Sequence, residues 1–373
     1  SEGEGEGSEG EGEGSEGEGE GSEGEGEGSE GEGEGAEGEG EGIAPLPPPV
    51  LEPLLDVDLG QERWGAELSH DGSEVATVSY GSVLLYGLVP PQPLRPARRL
   101  ELNDHLEEFE GLISDAVFSP RDELLVVLDQ GNHVTGWDTS TAALDYVGGL
   151  LATGSIPLRG GLQFNEAGTR IIGAYESSAH VVQVVPGLAD LFYEDGDYGY
   201  LPPSQAMFYG PDDRIVSLED PETGLLRLLA PGGAPGQPTW GEPRWLAVSE
   251  LAPSCGELLC LAAATGQERI AVCCTGGGLL VIDDPHGEPR SFTLSAGFRP
   301  FTGAALSRTG GLAAAVAGET LSVWQVAPNA EVARVEVGIA ENSYPPRVRF
   351  DAAASRVAVD REKRLVVYSL SLP

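Results

Sequence analysis

The segment YEDGDYGY (193–200) carries the residues best suited to binding a metal ion. Asp195, Asp197 and Gly199 match the start of a calcium loop, D-x-D-x-G, in which carboxylate oxygens at alternate positions converge on one Ca²⁺. The bidentate Glu that completes such loops is missing, because leucine and two prolines follow at 201–203. The segment therefore predicts either a calcium site or a plain acidic surface loop.

The spacing of the four cysteines is not that of a common zinc site: Cys255, Cys260, Cys273 and Cys274. The stretch LLCLAAATGQERIAVCC (258–274) predicts a hairpin that turns at Gly266–Gln267. This register places Cys260 opposite Cys273. The pair forms either a cross-strand disulfide or two small buried thiols.

Several segments between apolar stretches are rich in aromatic side chains. Aromatic residues and arginine are the usual anchors of protein interfaces. The candidate partner-binding residues are Phe192, Tyr193, Tyr198, Tyr200, Trp240, Trp245, Phe298, Arg299, Phe301 and Tyr344. The alternative is that these side chains pack the loops onto the core of the domain.

A short pattern recurs along the chain: a small polar residue, a tight turn and then an apolar strand. Its copies are SHDGSEVATV (69–78), SPRDELLVVL (119–128), NEAGTRIIGA (165–174), GPDDRIVSL (210–218), ATGQERIAVC (264–273), SRTGGLAAAV (307–316) and DAAASRVAVD (351–360). Successive copies start about 40–55 residues apart, which is the blade period of propeller repeats. A second apolar strand follows each copy, and another precedes most of them. The pattern predicts an all-β fold, a seven-bladed propeller of four-stranded antiparallel blades.

The turn in these repeats and the Trp137–Asp138 pair in HVTGWD resemble those of WD40 and WD40-like (YVTN-type) repeat proteins. The resemblance covers residues 55–373. In WD40 repeats a Gly-His pair precedes the first strand, and here His105 lies nearest to such a place. In such propellers the first strand commonly completes the last blade, which removes an open sheet edge. We therefore expect the propeller to span 54–373, with 54–59 paired to the strand at 364–370.

Six copies of the heptad SEGEGEG, the last beginning with alanine, occupy residues 1–42, and a Pro-rich linker follows at 43–53. Repulsion between the glutamates and the freedom of glycine predict a disordered acidic tail. This tail holds 18 of the 61 acidic residues and none of the 21 basic ones, so the rest of the chain is also acidic. That composition argues against nucleic acid and anionic membranes as partners, because both require basic surfaces. No apolar stretch is long enough to span a membrane.

Linear motifs of the common hydrolases, kinases and phosphate-binding enzymes are absent, and the five histidines are scattered. The sequence therefore favours a non-catalytic scaffold, a monomer or a subunit of an assembly, that binds a protein or a basic or Pro-rich peptide through the loop-rich face of the propeller. The tail would serve as a tether, and no cofactor is expected beyond the calcium considered above. The alternatives are a hydrolase- or lactonase-like propeller enzyme with an axial metal, and a polyanionic tail that binds cations or basic proteins. The cysteines, the tether-like tail and a start without methionine favour an extracytoplasmic or surface-tethered location.

Overall fold

The structure, a computed structural model, describes residues 50–59, 65–79, 81–88, 98–101, 113–129, 133–151, 161–175, 178–184, 192–197, 206–232, 239–294, 299–338, 346–361 and 363–372. All of them belong to one unit, Leu46–Pro373. The predicted acidic tail (1–42) and the linker as far as residue 49 lie outside the described residues.

Within these ranges, short strands pair antiparallel with their neighbours in sequence and form seven four-stranded sheets. From the axis outwards, the sheets of blades 1 to 4 are β2 Gly65–Leu68, β3 Glu74–Ser79, β4 Ser82–Gly87, β5 Arg98–Glu101; β6 Ile113–Phe118, β7 Leu124–Asp129, β8 His133–Asp138, β9 Asp145–Leu151; β10 Gln163–Phe164, β11 Arg170–Tyr175, β12 Ser178–Val184, β13 Phe192–Asp197; and β14 Ala206–Tyr209, β15 Arg214–Asp220, β16 Leu225–Leu229, β19 Arg244–Ala247.

The sheets of blades 5 to 7 are β20 Leu258–Ala264, β21 Arg269–Cys274, β22 Leu279–Asp283, β23 Arg290–Leu294; β24 Gly303–Leu306, β25 Leu312–Ala317, β26 Thr320–Gln325, β27 Ala330–Glu336; and β28 Arg347–Phe350, β29 Arg356–Arg361, β30 Arg364–Ser371, β1 Val50–Asp58. A two-stranded hairpin, β17 Pro231–Gly232 with β18 Thr239–Trp240, and one short helix, α1 Val248–Leu251, complete the described elements. The predicted seven-bladed β-propeller is confirmed.

The first strand closes the ring. β1 pairs antiparallel with β30, from Val50 opposite Ser371 to Asp58 opposite Arg364. This pairing confirms the prediction that the amino-terminal strand completes the last blade. The strand begins at Val50, however, so residues 50–53 of the predicted linker are part of the blade. Pro53 is accommodated because β1 is the outermost strand and its register shifts between Pro53 and Leu55.

The small polar residue of the repeat pattern caps the hairpin between the first two strands of a blade. In five blades its side-chain oxygen accepts a hydrogen bond of 2.9 to 3.1 Å from the backbone N–H five residues later: Ser69–Glu74, Ser119–Leu124, Asn165–Arg170, Ser307–Leu312 and Asp351–Arg356. All five capping side chains are buried. The repeat is therefore visible in the sequence because a buried turn requires a polar partner for this N–H.

A left-handed backbone follows three residues after each of these caps. The residues are Gly72, Asp122, Gly168, Gly310 and Ala354, with φ between +54° and +70°. Glycine adopts this conformation without steric cost, and aspartate tolerates it better than alanine does. Ala354 is therefore the one residue of this set poorly suited to its backbone.

Apolar side chains of facing sheets form the core between neighbouring blades. Trp137 of blade 2 is fully buried in the cluster that blade 2 shares with blade 1. Its indole N–H donates to the Thr135 hydroxyl at 3.0 Å, so the ring is buried without an unsatisfied donor. Burial of one such side chain stabilises the fold by about 2–3 kcal/mol.

Candidate functional site

The inner strands of the blades, β2, β6, β10, β14, β20, β24 and β28, contact one another around a central axis. They enclose an axial cavity of about 140 Å³. Much of its wall is apolar and includes Val117, Phe164, Met207 and Ala305. The charged side chains at this axis are therefore the groups that could give it chemical character.

Five charged side chains lie together at the inner strands of blades 7, 1 and 2, and we call them the axial charge cluster: Glu67, Asp115, Arg347, Arg349 and Asp360. Arg347 donates to Asp115 at 2.9 Å, and Arg349 donates to Glu67 at 3.0 Å. Asp360 lies opposite Arg347 in the register of β28 and β29. The cluster thus holds three carboxylates and two guanidinium groups.

Asp115 connects three blades through this cluster. One carboxylate oxygen accepts the hydrogen bond from Arg347 of blade 7, and the other accepts the backbone N–H of Leu162, next to blade 3, at 2.9 Å. The Asp115 side chain is only 6% exposed. A Cβ atom at Gly65 would lie 2.5 Å from Nη1 of Arg347. Glycine at position 65 therefore leaves the space through which Arg347 reaches Asp115.

Burial and mutual attraction act in opposite directions on these ionisable groups. Burial raises the pKa of Glu67, although the neighbouring Arg349 opposes this change. The Asp115 carboxylate raises the pKa of Arg347 and keeps it charged. Burial raises the pKa of Asp360 to about 6, against the attraction of Arg347 and Arg349. Two carboxyl groups of the cluster, Glu67 and Asp360, thus have a pKa above the ordinary value.

A second polar contact crosses the mouth of the cavity on the side of the capped hairpin turns. Glu166 of the blade 3 turn accepts hydrogen bonds from Arg308 of the blade 6 turn and, at 3.0 Å, from Thr265 of the blade 5 turn. All three side chains line the cavity. These hydrogen bonds join the turns of blades 3, 5 and 6 without involving blade 4. They narrow the opening of the cavity on the side of the capped hairpin turns.

None of these axial residues was among the sequence-predicted sites. Asp115 and Arg347 are 232 positions apart, so no spacing rule connects them. A weaker signal was present, because RVRF (347–350) and GAEL (65–68) place charged residues within short inner strands. Charge in a strand that lies at the propeller axis requires a partner from another blade.

Only some of the predicted partner-binding side chains are described, and their environments differ. Trp245 lies on the outer strand β19 and is 48% exposed, with the Arg227 guanidinium 5.8 Å from its ring centre. Trp240, in the added hairpin, is half-buried against the core of blades 3 and 4. Phe301 is buried, and its ring packs edge-on against Trp324 with centres 5.4 Å apart. For Phe301 the structure shows the packing role that was the alternative to partner binding.

The remaining predicted residues are described incompletely or not at all. Arg299 is exposed. Phe192 and Tyr193 belong to the outer strand β13, and of their side chains nothing is described. The others lie outside the described residues: Tyr198, Tyr200, Phe298 and Tyr344. The aromatic segments at 188–203 and 230–245 contribute residues to the outer strands of blades 3 and 4, β13 and β19.

The predicted calcium residues fall in the same region. Asp195 and Asp197 lie in β13, which pairs with β12, whereas a loop was expected there. Their side chains and Gly199 are outside the described part, so the calcium site stays a prediction. Among the described residues, no three His, Cys, Asp or Glu side chains are grouped so that they could hold a metal ion.

Three of the cysteines lie in the first hairpin of blade 5, and Cys255 lies in the loop before it. Cys260 stands opposite Cys273 in the register of β20 and β21, as the hairpin pattern predicted. The structure joins this pair in a disulfide and joins Cys255 to Cys274 in a second one. All four residues are buried. The two bridges attach both the inner strand of the blade and the loop before it to β21.

Comparison of the structure with solved structures decides the architecture. The β-propeller domain of Myceliophteria thermophila Cps50 (Swd1) superimposes with a TM-score of 0.61, covering 86% of this chain and 100% of that domain, at 14% sequence identity. The fold is that of a WD40-like β-propeller. At this identity the similarity shows the fold alone. A scan against protein-family models and a search of curated proteins gave no match.

Nearly all of the described secondary-structure elements of the WD40-like propeller are β-strands. Its helix α1 has four residues. No helix in the described ranges has the length and apolar character needed to cross a membrane.

Proposed function

We propose that this WD40-like propeller is a non-catalytic scaffold that binds another protein or peptide, and that residues 1–42 tether it. The observation that carries the proposal is Trp245, a large aromatic side chain that is 48% exposed on the outer strand of blade 4. An exposed tryptophan beside an arginine is a typical anchor of a protein interface. The acidic composition of the propeller favours a basic or Pro-rich segment as the partner.

The contacts at the axis support a structural role for its charged residues. Asp115 and Glu67 are each paired with an arginine of blade 7, and Glu166 is paired with Arg308. A nucleophile or general base must instead reach a substrate. We therefore assign these three pairs to holding the blades together and place the binding surface on the exterior.

We further propose that the protein acts in an oxidising, extracytoplasmic environment. Disulfides persist in such compartments and are rare in the cytosol. Two bridges to one strand, β21, support this location.

The test is affinity capture from native extract with the full chain and three variants, at low and moderate salt. Trp245→Ala removes the exposed aromatic, and Val147→Ala is the matched control because Val147 is 42% exposed on the outer strand of blade 2. In the third variant all 18 tail glutamates become glutamine, which keeps the length of the tail and removes its charge.

We expect one salt-resistant partner to be retained by the full chain, by V147A and by the tail variant, and to be lost by W245A. Retention by W245A would exclude the rim of blade 4 as the binding surface. Loss in the tail variant, or release by salt, would show that the polyanionic tail is the binding element.

A further inference from the structure

The axial charge cluster is unbalanced, because its three carboxylates face two guanidinium groups. Arg347 forms an ion pair with Asp115, and Arg349 forms an ion pair with Glu67. Asp360 is therefore the carboxylate in excess. Asp360 is partly buried, and a charge that is partly withdrawn from water without a full counter-charge lowers the stability of the folded state.

The surroundings of Asp360 come from four neighbouring strands, β28, β6, β2 and β30. Arg347 and Arg349 on β28 attract the carboxylate, and Asp115 on β6 repels it. The Ala66 N–H on β2 donates a hydrogen bond to it. On β30, the residue opposite Asp360 is the buried, apolar Leu365. Burial outweighs the attractive groups and raises the pKa of Asp360 to about 6.

Glu67 adds to this imbalance from blade 1. Burial and the repulsion of Asp115 raise the pKa of Glu67, while Arg349 and His70 lower it. Two of the three carboxylates in the cluster are thus held above their ordinary range. The ionised cluster is under electrostatic strain at the junction where the ring closes.

We propose that the axial charge cluster is a pH-sensitive clasp, in which uptake of one proton by Asp360 balances the charge and tightens the junction of blade 7 with blades 1 and 2. The clasp would hold the ring more firmly in mildly acidic surroundings than at neutral or alkaline pH. It acts on the propeller itself and is independent of the partner proposed above.

The direction of the effect follows from the folded and unfolded proton affinities. The pKa of Asp360 is about 6 in the folded chain, above its ordinary value of 3.8. The folded state therefore binds this proton more tightly, and stability is lost as the pH rises through about 6. This difference between the folded-state pKa and the ordinary pKa of Asp360 changes the folding equilibrium constant by at most about 100-fold between pH 4 and pH 8.

The experiment measures urea unfolding of the full chain by tryptophan fluorescence between pH 5 and pH 8. Asp360→Asn keeps the shape of the side chain and removes its charge. Glu250→Gln, at an exposed position of α1, controls for the loss of one negative charge from an acidic protein. We expect the advantage of D360N over the wild type in folding equilibrium constant to fall from about 100-fold at pH 8 to about 10-fold at pH 5, because Asp360 of the unfolded wild type still ionises above its ordinary pKa of 3.8.

The clasp is excluded if D360N follows the pH profile of the wild type, or if it is less stable than the wild type at every pH. A second measurement needs no variant. Backbone hydrogen exchange in β2, β28 and β29 of the wild type, corrected for intrinsic rates, should report stronger protection at pH 5.5 than at pH 7.5. Equal protection at the two pH values would also overturn the proposal.

Discussion

Arg364 donates hydrogen bonds to both carboxylate oxygens of Asp56, at 2.9 and 2.7 Å, across the pair of strands that closes the propeller. The same guanidinium donates to the carbonyl of Gly338, at the end of blade 6, at 2.8 Å. One arginine of β30 therefore holds both the closing strand and the neighbouring blade. The hydrogen bond and the positive charge of Arg364 lower the pKa of Asp56.

We predict that Asp56→Asn lowers the free energy of unfolding at pH 7 by about 0.5–1 kcal/mol, because the pair is largely exposed and partly screened by solvent. The lowered pKa means that this contribution is present above pH 4 and is lost as the pH falls through the folded-state value. Urea unfolding at pH 7 and pH 2.5, each with and without 1 M salt, checks this. Glu52→Gln, on the same strand, should have a smaller effect, and equal effects of the two variants would show that the pair contributes nothing specific.

Replacement of Asp115 should lower the free energy of unfolding far more than Asp56→Asn does. Asp115→Ala leaves Arg347 without its partner and the Leu162 N–H without its acceptor, and we expect a loss of about 3–5 kcal/mol in the free energy of unfolding. The double variant with Arg347→Met should recover part of this loss, because the unpaired charge is then absent. A double-mutant cycle measured by urea unfolding tests the coupling. Strictly additive effects would contradict the pairing seen here.

The turn of blade 7 offers a stabilising substitution. Ala354 has a φ of +54°, whereas Gly72, Gly168 and Gly310 occupy the equivalent place in other blades. We predict that Ala354→Gly raises the free energy of unfolding by about 0.5–1 kcal/mol, since relief of the left-handed strain outweighs the added freedom of the unfolded chain. Ala352→Gly, in the same turn without a positive φ, is the control and should be neutral or destabilising. Thermal unfolding of the two variants distinguishes these outcomes.

The two disulfides predict a chain without reactive thiols. A thiol assay in guanidinium should detect no free cysteine in the purified protein and four after reduction. Each bridge closes a short loop, of 13 or 19 residues, so its loss should cost about 3 kcal/mol. The variants Cys260→Ser/Cys273→Ser and Cys255→Ser/Cys274→Ser, compared in urea unfolding, test each bridge separately. Four reactive thiols before reduction would refute both bridges and the extracytoplasmic location inferred from them.

The sequence predicted the middle strands of the blades because each follows a capped turn and is apolar. The copies SHDGSEVATV (69–78) and SPRDELLVVL (119–128) contain the capped turn and nearly all of the strands that follow it, β3 and β7. The outer strands were not located, because strands such as Arg290–Leu294 are largely exposed and have no apolar pattern of their own. They are defined by pairing with the preceding strand, which a local pattern does not report.

The axial site was beyond sequence reasoning for a related reason. Glu67, Asp115 and Arg347 belong to three blades, and only closure of the ring brings them together. The aromatic residues, in contrast, were visible in the sequence, but composition alone did not separate the exposed Trp245 from the buried Phe301. Exposure depends on which sheet a residue joins and on the face that it occupies.

Pairing of β1 with β30 also determines when the ring can form during synthesis. Asp56 and Arg364 are 308 residues apart, so at about 5–20 residues per second the closing strand waits roughly 15–60 s for its partner. Throughout that time β1 is a potential edge for pairing with other chains. Its acidic residues Glu52, Asp56 and Asp58, together with Pro53, are the features that discourage such pairing. The closing strand thus combines a late structural role with early protection of the nascent chain against aggregation.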